Sequence, residues 1–83
     1  MSEYEPVLSS KALATLLGVS KRKQRDLSDI LFKLSAFPSQ QGDYAFPDGS
    51  GRLVQYILIG NYVIGYWPDH AVKELRIVEI DLV

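Results

Sequence analysis

Leu53-Val54-Gln55-Tyr56-Ile57-Leu58-Ile59-Gly60-Asn61-Tyr62-Val63-Ile64-Gly65-Tyr66-Trp67 holds two apolar runs, 53–59 and 62–67, on either side of a Gly60-Asn61 pair. Glycine and asparagine tolerate the positive φ angles of a two-residue hairpin loop, so the stretch reads as a β-hairpin. Across such a loop Ile59 stands opposite Tyr62, and the pairing runs outward from there. One face then carries Ile59 with Tyr62, Ile57 with Ile64, and Gln55 with Tyr66. The other carries Leu58 with Val63, Tyr56 with Gly65, Val54 with Trp67, and Arg52 with Asp69. Both faces are apolar, whereas a sheet with one face in water alternates apolar and polar residues.

Working outward, Pro68-Asp69-His70 opens a loop and Glu74–Val83 reads as a third strand. Upstream, Pro47-Asp48-Gly49-Ser50-Gly51 is a turn and Ser39–Asp43 a polar loop. Before that loop, Leu27, Ile30, Leu31 and Leu34 recur at helical spacing in a helix capped by Ser20 and stopped near Phe37 by Pro38. A shorter helix over Lys11–Leu17 is capped by Ser9 or Ser10, carries Leu13, Leu16 and Leu17, and ends at Gly18. Tyr4–Leu8 fits a short edge strand, since Pro6 cannot donate to a central ladder. These elements predict an α+β fold: two N-terminal helices packed on a three- or four-stranded antiparallel sheet. Two helices cover only one face of so small a sheet. Tyr56, Leu58, Val63 and Trp67 are therefore expected either to be folded over by the last strand and loops or to form a partner interface.

The chain has 83 residues, which predicts a single domain over 1–83 near the lower limit for a self-supporting core. It has no cysteine and one histidine, which excludes thiolate chemistry and argues against a dedicated metal site. No apolar run approaches the ~18 residues of a membrane span, and Glu3 and Glu5 stand where a signal sequence would be basic and apolar. The expected location is the cytoplasm, without membrane contact and without a small-molecule cofactor. Formal net charge is −1, so polyanion binding would need a local cationic cluster.

Leu27, Leu31 and Leu34 followed by Pro38, then Gly60-Asn61-Tyr62 through Tyr66 and Asp69, then Glu74-Leu75-Arg76-Ile77-Val78-Glu79-Ile80, resemble the toxins of the RelE/ParE superfamily in order, spacing and length. The resemblance covers nearly the whole chain. It implies the toxin of a type II toxin–antitoxin (plasmid stabilization) system, acting on ribosome-bound mRNA or on DNA gyrase and neutralised by an antitoxin that wraps sheet and helices. In the ribosome-dependent members, basic residues on the sheet hold the scissile phosphate, because electrostatic stabilisation dominates that chemistry. Here Val63 replaces the arginine after the hairpin tyrosine, Tyr56 and Leu58 replace basic positions on the preceding strand, and Ile80-Asp81-Leu82-Val83 carries no closing acid. The endoribonuclease activity that the resemblance implies lacks its usual residues. Action by protein contact, as a gyrase-directed toxin or as a degenerate, non-toxic interaction domain, needs none of them. Cover for the apolar face would come from the antitoxin or from a homodimer.

Among the remaining groups, Lys21, Arg22, Lys23 and Arg25 are the densest positive run and the candidate nucleic-acid contact. Cations at a helix N-terminus oppose the macrodipole, a mild cost that a phosphate would offset. Arg52 is expected to pair with Asp69 across the hairpin; the catalytic candidates are His70 beside Asp69, as a general base, and Arg52, as a phosphate ligand. Residues 10–27 also resemble a helix-turn-helix, with Ala14, Gly18-Val19-Ser20 and Leu27 at its contact, turn and anchor positions. That regulator alternative requires the basic run to project from an exposed helix end. Gln24 stands where such a motif buries an aliphatic residue.

Overall fold

A computed structural model describes residues 3–83. Its elements are β1 (Glu5–Leu8), α1 (Ser10–Gly18), α2 (Lys21–Ser35), β2 (Tyr44–Pro47), β3 (Leu53–Ile59), β4 (Tyr62–Asp69) and β5 (Glu74–Leu82). The two helices lie on one face of a five-stranded sheet ordered β1-β5-β4-β3-β2. The α+β layering is the expected one, but the sheet is larger and mixed. β1 runs parallel to β5, with Pro6 opposite Leu75 and Leu8 opposite Ile77. β2 adds a short antiparallel strand to the other edge. Local pattern could not show the parallel pairing, since its partners lie at opposite ends of the chain.

The hairpin register is the expected one, from Ile59 opposite Tyr62 to Gln55 opposite Tyr66. Only Gly60 takes positive φ in the loop (60°), and Asn61 does not, the pattern of a type II′ turn. The β2–β3 turn is held by Asp48. Its carboxylate accepts from the Ser50 amide and hydroxyl and from the Arg52 amide, while Gly51 supplies φ 83°.

The helix-side core is Tyr62, Ile64 and Tyr66 of β4, Leu75, Ile77 and Ile80 of β5, and Ala12, Leu27, Leu31 and Leu34 of the helices. The α2 stripe is the one its spacing predicts. On α1 the stripe is shifted. Ala12 is fully buried and Leu16 and Val19 pack beside it, while Leu13 and Leu17 are exposed. The small Ala12 side chain lets α1 approach the sheet, and that contact sets which face turns inward.

Ile77 and Ile80, three residues apart, both face the core. Strict alternation forbids this, and a β-bulge resolves it: Gly65 pairs with Glu79 and Tyr66 with Ile77, leaving Val78 as the extra residue. Ser9 secures the spot. Its hydroxyl caps α1 by accepting from the Ala12 amide (3.1 Å) and donates to the Val78 carbonyl (3.0 Å).

Candidate functional site

The sheet face away from the helices is assembled in rows. Glu79, Gly65, Tyr56 and Tyr44 line up across β5, β4, β3 and β2, and Asp81, Val63 and Leu58 form the neighbouring row. Trp67 lies next along β4, with Arg76 of β5 opposite it. Tyr56, Leu58, Val63 and Trp67 thus share one surface. Leu58 is 53% exposed; Tyr56, Val63 and Trp67 are half-buried. No strand or helix of residues 3–83 lies over them.

Tyr44 and Phe46 extend the same surface, and sequence reading missed both because β2 is a four-residue strand ending in proline. Tyr44 stacks on Tyr56 (ring centroids 5.2 Å apart, planes 9° apart), and Phe46 meets both rings edge-on. The Tyr56 ring lies over Gly65, where an added Cβ would stand 2.8 Å from Tyr56 Cε1. Glycine on β4 therefore lets the aromatic lie flat on the sheet.

The charges on this face are mostly paired. Arg52 does not meet Asp69; it sits 3.9 Å above the Trp67 ring and pairs with Asp48 at 3.7 Å. The reason is local: Arg52 precedes β3 and belongs to the turn that Asp48 organises. Asp69 instead pairs with Arg76, which also holds Glu74. The His70 ring meets Tyr4 edge-on and its Nδ1 shares a hydrogen bond with the Tyr4 hydroxyl, so Asp69 does not orient it as a base. At the β5 end, Glu79 pairs with Lys11 (3.1 Å) and lies beside Asp81. A hydrogen bond from Asp81 and the Lys11 ammonium hold the Glu79 carboxyl below its ordinary range, while Glu79, and secondarily burial, push Asp81 up. Burial, reinforced by Glu79, also pushes up the Tyr56 phenol. The bulge at Val78 puts both carboxylates on this face, a placement that β5 read as a regular strand does not give.

The basic run lies elsewhere. Lys21, Arg22, Lys23 and Arg25 are exposed on the first turns of α2, in the helix layer, and form no ion pair among the described residues. They project from an exposed helix end, as a helix-turn-helix would require, but the buried stripe of α2 is part of the core shared with the sheet. Gln24 donates to the Val19 carbonyl instead of filling a core position. The structure brings the apolar candidates together with Arg52 and keeps the Lys21–Arg25 cluster apart from them. A shallow groove of about 400 Å³ on the helix side, lined by Ile30, Lys33, Leu34, Phe37, Gln40 and Ile59, is a lesser apolar feature.

No family model matches the sequence, and no curated protein matches it. In structure it is similar to a chain of the toxin–antitoxin complex RelBE2 from Mycobacterium tuberculosis, with a TM-score of 0.77 and 18% identity over 96% of this chain and 98% of that one. At that identity the likeness is one of fold, and the fold is RelE-like.

Proposed function

We propose that this chain is one cytoplasmic domain that acts as the toxin of a RelE/ParE-type toxin–antitoxin pair, working by contact with a macromolecular target. An antitoxin would neutralise it by covering the outer sheet face. The observation that carries this reading is a continuous surface of Tyr44, Phe46, Tyr56, Leu58, Val63 and Trp67, open to solvent on a RelE-like fold. Apolar patches of this kind on small proteins mark interaction sites. On the same face Val63, Tyr56 and Leu58 stand where the resemblance expects cations, and Glu79 and Asp81 lie in their rows, so protein contact, as with gyrase, is favoured over mRNA cleavage on the ribosome.

Induced expression in a bacterial host, with translation and DNA supercoiling followed together, tests it. Growth arrest with a supercoiling defect is the expected outcome. Arrest with immediate loss of translation would restore the ribonuclease alternative and direct attention to Arg52 and His70. Unimpaired growth would overturn the toxin reading and favour a non-toxic interaction domain.

A further inference from the structure

Two adjacent rows of the outer face end in carboxylates: Asp81 beside Val63 and Leu58, and Glu79 beside Gly65 and Tyr56. Across the sheet from them, the Asp43 carboxylate accepts the Leu58 amide at 2.7 Å. The most exposed apolar side chain of these rows, Leu58, thus lies between acids on both sides. Lys11 forms its ion pair with Glu79 and its charge reaches Asp81 only weakly, and Asp81 takes part in no ion pair among the described residues. We propose that this face receives a segment of a partner polypeptide that lays an apolar side chain on Val63, Leu58 and Tyr56 and sets a lysine or arginine between Glu79 and Asp81. The proposal rests on the reading above only in taking the outer face as a contact surface.

Charge complementarity selects this occupant over others. Two carboxylates held side by side repel, so an arriving cation relieves a cost already present in the free protein. Nucleic acid would bring phosphates against Glu79 and Asp81; Arg52 and Arg76 on this face are already paired with Asp48, Asp69 and Glu74, and the cations outside any ion pair among the described residues lie in the helix layer. A second copy docked face to face would bring like-charged acidic pairs to the join.

A short fluorescein-labelled peptide of alternating lysine and leucine is the probe, read by anisotropy against the purified chain. Its glutamate–leucine counterpart and a single-stranded RNA are the competitors. Binding of the lysine peptide is expected to weaken on the order of tenfold in the double variant Glu79→Gln, Asp81→Asn. It should be unchanged in Asp26→Asn, Asp29→Asn, which removes the same charge from exposed positions on α2. Leu58→Ser should also weaken it, with far-UV circular dichroism confirming a folded chain. Equal weakening by both double variants would reduce the effect to bulk charge and overturn the proposal. So would absence of lysine-peptide binding, tighter binding of the RNA, or dimerisation through Leu58 in sedimentation. Arrest of the host without peptide binding would sink this inference and keep the toxin reading; binding without arrest would do the reverse.

Discussion

At the scale of single residues, exposure separates side chains open to contact from those that hold the fold. Leu58 faces water on the outer surface, so Leu58→Asp should cost no more than about 1 kcal/mol, from strand propensity and the acids beside it, while abolishing association through that face. Thermal melts and co-purification with a partner check both halves. A large loss of stability would mean that Leu58 is core after all. Ser9 is the opposite case, because one hydroxyl serves both the α1 cap and the bulge carbonyl of β5. Ser9→Ala should cost about 1–2 kcal/mol and lower Tm by roughly 5–15 °C. Gly42 is stricter than Gly65. A Cβ at Gly42 would stand 2.3 Å from the Tyr56 carbonyl oxygen, a backbone atom that cannot turn aside. At Gly65 the obstacle is a Tyr56 ring that can swing.

At the scale of elements, the β3–β4 hairpin was legible because Gly60-Asn61 fixes the loop length and a loop of known length fixes the register. Helix α2 was legible because its stripe, Leu27 to Leu34, keeps helical spacing over about two turns between a serine cap and a proline stop. Apart from the short strand β2 and the Asp48–Arg52 pair of its turn, what could not be read depends on partners remote in sequence. The parallel β1–β5 pairing, the inward turn of Ala12, and the bulge at Val78 all arise where the first residues meet the last strand. The bulge sets the orientation of Glu79 and Asp81, so the acidic half of the candidate site was hidden while its apolar half was plain. This pair gives a pH signature. The Asp81 carboxyl is raised in the fold, chiefly by Glu79, so its contribution is most favourable below the ordinary aspartate range and is lost as pH rises through its folded value. Asp81→Asn should therefore stabilise the protein near neutral pH, by on the order of 0.5 kcal/mol or less after solvent screening. The gain should vanish in acid, where Asp81 is protonated in the parent as well. Melts of parent and variant across that range check it, and a gain that persists at low pH would rule the repulsion out. A variant that gains stability yet loses the lysine peptide would mark Asp81 as kept for contact at a cost to the fold.

At the scale of the whole molecule, the architecture is closed by its first strand. β1 zips onto β5 from Glu5 opposite Glu74 to Leu8 opposite Ile77, and Ser9 continues the join by donating its amide to the Ile77 carbonyl (2.8 Å). Tyr4 meets His70, Glu3 pairs with Lys73, and Lys11 reaches Glu79. The first segment of the chain is thereby bound to the strand that carries the acidic pair, and contacts so distant in sequence form late and slowly. Leu75 and Ile77 are fully buried with β1 in place, and without it they would stand at an open sheet edge. Removing residues 1–8 should thus abolish cooperative unfolding instead of lowering its midpoint. Denaturant titrations followed by Trp67 fluorescence and by far-UV circular dichroism distinguish the two, since a two-state chain gives coincident transitions. A truncated chain that still melted in one step would show that the helices and β2–β5 suffice, and that β1 only shields an edge. Loss of the transition would tie the outer face to the whole molecule, because the strand that places Glu79 and Asp81 beside Val63 and Leu58 is held in register by β1 and the Ser9 contact.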